Sequence, residues 1–249
     1  KGTILDIIYI ATFFVAFISS ILSGIAGGGG GFVMAPYWLI SGMTPAQGAT
    51  TGAFMATGMS ISSVAAFRKT DYFPKDKRLL LILSVVTFFA SIFGAIIVPK
   101  IDIQAFKYML AIITISALPL LFIKPNMKHR LSRYKGLGLG FAVTLLIIGS
   151  IITSSAFSIL FALTLMAFFN MSVLQMTALR RLVGVVQSIV LFIAFAVQGY
   201  FIWQHAVAGF IGGSVGSYIG TKYAVKKGES FAKYALAIMS LVGAIALLI

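Results

Sequence analysis

Long apolar stretches dominate the sequence, and short polar or charged clusters separate them. A hydrocarbon core about 30 Å thick needs about 20 apolar residues of helix. Two shorter apolar segments, 30–42 and 157–170, suffice only for half-helices, re-entrant pieces or short crossings. The pattern predicts an all-α polytopic protein in a lipid bilayer. Full crossings are predicted near 3–24, 46–67, 78–98, 104–123, 136–152, 172–197, 203–221 and 230–249.

An unbroken glycine run, Gly27 to Gly31, interrupts this pattern directly before the first short segment. Each glycine in a helix interior costs about 1 kcal/mol relative to alanine, so the run breaks the helix. A bilayer tolerates unwound backbone only where protein buries it or where it lines a water-filled cavity. The run therefore predicts a binding site more than a packing surface. Helix packing is instead predicted where glycine recurs every fourth residue, at Gly212, Gly216 and Gly220.

Composition narrows the class of protein. Hydrophobic residues make up 60% of the chain and charged residues 10%, with a mean hydropathy of +1.06. There is no cysteine, which excludes disulfides and thiolate metal sites. The few acids and histidines fall at predicted segment ends or loops, so we expect no enzyme, no metal site, no cofactor and no mid-membrane proton relay. These residues are Asp6, Asp71, Asp76, Asp102, Glu229, His129 and His205.

The second half of the chain repeats the first at a nearly constant offset. The same spacing relates Gln47 to Gln175, Ser60 to Ser188 and Tyr72 to Tyr200. A basic linker, 124–135, separates the copies. We therefore expect a first transmembrane repeat over 1–123 and a second over 136–249.

The positive charges indicate how the repeats are oriented. The formal net charge is +14. If each repeat crosses about five times, the second copy is inverted, both termini lie outside, and every Lys and Arg except Lys1, Lys100 and Lys107 faces the cytoplasm, as the positive-inside rule requires. Nucleic-acid binding is a poor second interpretation because the cations are spread over helix ends.

Inverted repeats with helices interrupted at matching positions are typical of secondary transporters. The second interruption is predicted at 153–156. Helix N-termini carry unpaired N–H groups and a partial positive charge, so two of them would bind a small anion. The candidate substrate-binding residues are Gly27, Gly28, Gly29, Gly30, Gly31, Thr50, Thr51, Ser154, Ser155, Arg180 and Arg181.

Several polar candidates have structural alternatives. The hydroxyls of Thr50 and Thr51 could bond a preceding carbonyl instead of a ligand. Helix capping is favoured for Gln47 and Gln175. Arg180 and Arg181 lie about two turns into a predicted helix, where arginine either extends to the membrane surface or binds an oxyanion with both arms of its guanidinium.

The motif SGIAGGGGGF, followed by GMTPAQGATTGAF, resembles the signature of the TauE/SafE family of membrane permeases, and the resemblance includes two related halves joined by a charged linker. The chain departs from the signature in having Thr51 where serine is usual and in its longer glycine run. The resemblance implies export of small sulfur-containing anions, such as sulfite, sulfoacetate or other organosulfonates, across the prokaryotic inner membrane.

The membrane potential suffices for such export, because an anion leaving a cell that is negative inside gains about 2.3 kcal/mol per charge per 100 mV. We expect alternating access, in which one repeat rocks against the other. An anion channel is the alternative, and a scaffold protein would bind no ligand. The sequence leaves the oligomeric state open.

Overall fold

A computed structural model describes residues 2–28, 30–97, 134–152 and 155–248. The described residues form helices and no strand, which confirms the predicted all-α class. The predicted crossing at 104–123 and the linker up to residue 133 lie outside them. The helices are α1 (Gly2–Ala26), α2 (Gly31–Ile40), α3 (Pro45–Phe67), α4 (Lys77–Ile97), α5 (Lys135–Ile152), α6 (Ser155–Phe168), α7 (Val173–Ala196), α8 (Trp203–Lys227) and α9 (Glu229–Leu248).

Helix length and outer surface agree with a bilayer setting. Within the described part of the chain, spans in α1, α4 and α7 are long and apolar enough to cross a membrane. Ile10, Phe14 and Ile18 are more than half exposed and form one apolar stripe along α1. The short segments appear as α2, with 10 residues, and α6, with 14 residues. Helix α8 ends at Lys227 rather than near 221.

Small residues bring α1 and α8 into backbone contact. A Cβ added at Gly212, Gly216 or Gly220 would overlap the carbonyl oxygen of Phe13, Phe17 or Ile21 in turn. From the other side, a Cβ at Gly24 would lie 2.7 Å from Ser217 O. The prediction of helix packing at these glycines is therefore confirmed. The contact joins the two halves of the chain through parallel helices.

Hydroxyl groups connect α3 to α8. Ser63 Oγ lies 2.7 Å from Ser217 Oγ and 2.8 Å from Thr221 Oγ1, and Ser217 Oγ donates to Met59 O at 3.0 Å. All three hydroxyl side chains are buried. One consistent arrangement runs from Thr221 to Ser63, Ser217 and the Met59 carbonyl, so each hydroxyl has a partner. The group stabilises the packing of α3 on α8.

Matching capping boxes begin α3 and α7. Thr44 N donates to Gln47 Oε1 at 2.9 Å, and Gln47 N donates to Thr44 Oγ1 at 3.3 Å. In the same way, Ser172 N donates to Gln175 Oε1 at 3.1 Å, and Gln175 N donates to Ser172 Oγ at 3.3 Å. Capping is thus confirmed for both glutamines. Helices α3 and α7 run antiparallel, since Gly184 faces Ser60 while residues nearer the start of α3 pack beside the end of α7.

The helix directions separate two ends of the molecule. The basic end contains the C-terminal ends of α1, α3 and α8 and the start of α7. The histidine end contains the start of α3 and of α8, with Tyr37, Trp38 and His205. Every described Lys and Arg lies at the basic end or within about two turns of it. These residues are Arg68, Lys69, Lys75, Lys77, Arg78, Lys135, Arg180, Arg181, Lys222, Lys226, Lys227 and Lys233.

Candidate functional site

The glycine run forms a turn that reverses the chain between α1 and α2. Gly27 has φ +72°, a left-handed conformation, and a Cβ there would overlap the Thr177 side chain on α7. After the turn, Gly30 O accepts hydrogen bonds from Val33 N at 3.2 Å and Met34 N at 3.1 Å. The N–H groups before Val33 have no acceptor within α2, because the first N–H groups of a helix never do. The start of α2 therefore keeps backbone N–H groups that have no acceptor within the helix.

Arg181 packs against the last turn of α1. Its side chain is 8% exposed, and Nη2 donates to Ser23 O at 2.8 Å and to Ser23 Oγ at 2.9 Å. The last carbonyls of a helix lack intrahelical donors and carry partial negative charge, which a cation satisfies. Arg181 Nε is buried and has no hydrogen-bond partner among the described residues. One edge of this guanidinium thus keeps a free donor.

Arg180 reaches the turn itself and is half-buried. Its Nη1 donates to Gly27 O. A Cβ at Gly28 would overlap Nη1 and would lie 3.2 Å from Cζ, so the missing side chain at Gly28 makes room for the guanidinium. The glycine run therefore leaves space for the Arg180 guanidinium in addition to breaking the helix.

Both arginines are paired with uncharged groups. Among the residues described, their hydrogen-bond acceptors are carbonyl and hydroxyl oxygens, with no carboxylate. The carboxylate of Glu229 is engaged about two turns earlier along α7. It accepts from Ser172 Oγ and from the backbone N–H groups of Val173 and Leu174. The arrangement at the turn is thus rich in donors and positively charged, and can attract an anion.

A protein-family model described as sulfite exporter TauE/SafE matches residues 12–247. The chain belongs to this family.

Similar proteins support the same class. The chain is 26% identical over 237 residues to "Probable membrane transporter protein YfcA" of Escherichia coli K12, covering 92% of this chain and 86% of that protein. It is 27% identical over 235 residues to a "Probable membrane transporter protein" of Haemophilus influenzae, covering 92% and 89%. For "Probable membrane transporter protein ORF9" of Sinorhizobium sp, identity is 25% over 248 residues, covering 98% and 92%. No solved structure matches the chain. The TauE/SafE chain is thus a membrane transporter, and these three names specify no substrate.

The two threonines predicted for the TauE/SafE site lie elsewhere. Thr50 Oγ1 donates to Ala46 O at 2.7 Å, which is the structural alternative, while Thr51 Oγ1 is buried without a partner among the described residues. Because Ser60 faces Gly184, a rise of 1.5 Å per residue places Thr51 roughly 18 Å from Arg181 along the helix axes. The structure does not bring the threonines to the arginines, and substrate contact by them stays a prediction.

The second predicted interruption is only partly visible. Ser155 begins α6. Ser154 and Gly29 lie outside the described residues, and nothing is established for the Ser155 side chain. A role for Ser154 and Ser155 in substrate binding therefore stays a prediction.

Sequence reasoning missed the α1 and α7 residues that complete the site. Ser23 accepts from Arg181, and Thr177 fills the space beside Gly27. The available signal was spacing, because Ser23 lies one turn before Gly27 and Thr177 one turn before Arg181. No group of three or more metal-ligating His, Cys, Asp or Glu side chains occurs within the described ranges.

Proposed function

We propose that this TauE/SafE transporter exports small sulfur-containing anions, such as sulfite or organosulfonates, and that the anion binds between Arg180 and the glycine turn. The main support is the pair of guanidinium groups, buried or half-buried, whose described partners are all uncharged. Buried charges are normally paired, since an unpaired one is costly. A bound anion supplies the missing charge.

Electrostatic magnitudes favour an anion over a neutral solute. Two unit charges 4 Å apart attract by about 4 kcal/mol at an effective dielectric constant of 20. The N-terminus of α2 adds roughly half a positive charge. The planar guanidinium of Arg180 also matches two oxygens of a sulfite or sulfonate group. A cation would meet repulsion from all three groups.

The arginines have different tasks in this proposal. Arg181 is buried and donates twice to Ser23, so it fixes α7 to the end of α1. Arg180 is half-buried and donates to a single described acceptor, Gly27 O, for which an anion can substitute. Arg180 is therefore the anion ligand, whereas Arg181 supports the site and contributes charge.

The topology is part of the same proposal. We take the basic end as cytoplasmic, because Lys and Arg are concentrated in cytoplasmic loops. The antiparallel α3 and α7, which begin with the same capping box, support inverted repeats over 1–123 and 136–249. The setting is the prokaryotic inner membrane, and the membrane potential drives the anion outward.

Alternating access then needs a moving part and a fixed part. The close backbone contact holds α1 and α8 together and provides a fixed axis about which other parts of the two repeats can move. Helix α2 is short and has left-handed glycines beyond both ends, Gly27 at φ +72° and Gly42 at φ +79°. Movement of α2 about these glycines would expose the anion to one side at a time.

The test compares three variants in liposomes loaded with sulfite. Arg180→Gln removes the charge, Arg180→Lys keeps the charge without the planar fork, and Lys222→Gln removes an exposed cation near the same end. Loss of one charge-assisted hydrogen bond costs about 1.5–3 kcal/mol, so Arg180→Gln should weaken sulfite binding by about tenfold to a hundredfold. Arg180→Lys should bind sulfite with an affinity between those of the wild type and Arg180→Gln. Lys222→Gln should bind and transport sulfite normally.

Three results would refute the proposal. Wild-type liposomes could show no sulfite counterflow, Arg180→Gln could bind sulfite normally, or the protein could be stabilised by cations only in a thermal-shift screen. Counterflow and saturation also distinguish a carrier from an anion channel. A carrier saturates at low turnover and shows counterflow, whereas a channel passes many ions each time it opens.

A further inference from the structure

A second buried polar cluster lies at the histidine end, far from the arginines. His205, in the first turn of α8, is 8% exposed, and its Nδ1 lies 2.9 Å from Thr12 Oγ1. Thr12 is fully buried on α1, and its hydroxyl lies 2.7 Å from Tyr37 OH on α2. The imidazole packs edge-on against Tyr9 and Trp38, at ring-centroid distances of 4.9 and 6.4 Å. This cluster connects α8, α1 and α2.

The hydrogen bonds of the cluster can be satisfied in two arrangements. Thr12 Oγ1 also lies 2.9 Å from Ile8 O, and Tyr37 OH lies 3.2 Å from the same carbonyl. With a proton on Nδ1, His205 donates to Thr12, and Thr12 donates to Ile8 O. With Nδ1 bare, Thr12 donates to His205, and Tyr37 donates to Thr12 Oγ1. The cluster therefore accommodates either state of Nδ1 without leaving a hydroxyl unpaired.

Protonation of both ring nitrogens has a different consequence. His205 Nε2 makes no hydrogen bond among the described residues, and Tyr9 and Trp38 pack edge-on against the ring. A charged imidazolium in such surroundings favours access to water. Movement of the end of α2, which carries Tyr37 and Trp38, away from α8 would increase that access.

Helix α2 connects this cluster to the glycine turn. It has 10 residues, so it is about 15 Å long. Its first turn follows the proposed anion site, and its last turn contains Tyr37 and Trp38. A displacement of α2 at one end would be transmitted to the other, because α2 is one short helix bounded by the left-handed Gly27 and Gly42.

We propose that His205 is a proton-binding site whose occupancy sets the position of α2, so that anion transport responds to pH. The titratable groups facing it are Tyr9 from α1 and Tyr37 from α2, while α3 contributes Gly48 and Gly52 beside Trp38. Asp6 precedes Tyr9 by one turn of sequence. The link to transport rests on the proposed function, whereas proton binding itself does not.

Trp38 provides a direct readout of the proton. The chain has two tryptophans, and Trp203→Phe removes the exposed one, leaving Trp38 beside His205. Protonated imidazole quenches indole emission more strongly than neutral imidazole. In this background Trp38 emission should fall as the pH is lowered from about 8 to about 5, the range in which histidine ordinarily titrates. His205→Gln should abolish the change, and Asp6→Asn should leave it intact.

Thr12→Val provides a second variant of nearly the same shape. It removes the acceptor for Nδ1–H, which matters more for the charged ring because charge-assisted hydrogen bonds are stronger. The midpoint of the Trp38 titration should therefore move to lower pH. An unchanged midpoint, a titration that survives His205→Gln, or one that disappears only with Asp6→Asn would overturn the proton site.

Transport is measured with methanesulfonate, whose charge is constant over this pH range, in liposomes with equal pH on both sides. Wild-type counterflow should vary with pH, and His205→Gln should retain counterflow but lose the variation. Equal pH dependence in both proteins would overturn the link to α2. Absence of wild-type flux, with a Trp38 titration that His205→Gln abolishes, would count against sulfonate transport while supporting the proton site.

Discussion

Alanine at Gly28 should impair anion binding without unfolding the protein. Gly28 lies outside the left-handed region, so its backbone accepts an L side chain. The new Cβ would overlap Arg180 Nη1, which is the far end of a flexible side chain. Normal contact distances require the guanidinium to move by about 1 Å. The shifted Arg180 guanidinium would then no longer be positioned to donate to an anion bound at the turn.

The expected magnitude follows from the hydrogen bond between Arg180 and the anion that is lost. A charge-assisted bond contributes about 1.5–3 kcal/mol, and each 1.4 kcal/mol is tenfold in affinity. The dissociation constant for sulfite should therefore rise by about tenfold to a hundredfold. The melting temperature should fall by no more than about 4 °C, the shift that corresponds to about 1 kcal/mol in a chain of this size.

Alanine at Gly27 should instead destabilise the protein. At Gly27, φ is +72°, which costs an L residue about 1–2 kcal/mol, and the Cβ would also overlap Thr177 on the rigid α7. Overpacking adds about 1–3 kcal/mol. Gly27→Ala should thus lower stability clearly. Adding Thr177→Ala should restore the stability lost to the overlap with Thr177. The stability lost to the left-handed backbone at Gly27 should not be restored.

The assay combines thermal unfolding in detergent with sulfite binding by calorimetry. Gly140→Ala is the matched control, since a Cβ there meets nothing within 4 Å, and it should change neither quantity. The reasoning is refuted if Gly28→Ala binds sulfite normally, or if Gly27→Ala is as stable as Gly140→Ala.

Three further variants test the packing and the helix ends. Gly216→Ala should destabilise by about 1–3 kcal/mol, because its Cβ would press on the α1 backbone, whereas Gly140→Ala should not. Glu229→Gln should lower the melting temperature by about 2–4 °C, since the neutral amide weakens the bonds to the start of α7; an unchanged temperature would contradict the charge argument. Thr44→Ala should cost about 1 kcal/mol by removing the cap of α3, and Thr44→Ser should restore it.

Features that depend on nearby residues could be predicted from the sequence. Apolar length identified the membrane helices, and the four-residue glycine spacing identified the face of α8 that packs on α1. The capping glutamines Gln47 and Gln175 were also recognisable, because their partners lie three residues away. Such features require no knowledge of which helices are neighbours.

Features that depend on helix register could not be predicted. The sequence indicated that Arg180 and the glycine run belong to one site, but Arg180 donates to Gly27 O, a contact set by how α7 packs beside α1. Thr51 was among the candidate site residues, yet the antiparallel arrangement of α3 and α7 places it roughly 18 Å from Arg181 along the helix axes. His205 was recognised only as a helix-end residue, and its burial depends on α1 and α2.

The contact between α1 and α8 has a consequence for biosynthesis. Helix α1 emerges from the ribosome well before α8, because α8 is complete only after Lys227 has been added. At about 5–20 residues per second, α1 waits on the order of 10–40 s for α8. During that interval the surface of α1 that contains Gly24 and the carbonyl oxygens of Phe13, Phe17 and Ile21 lacks its native partner. Insertion of this protein therefore depends on a helix that remains in the membrane with its α8-facing surface uncovered until α8 has been made.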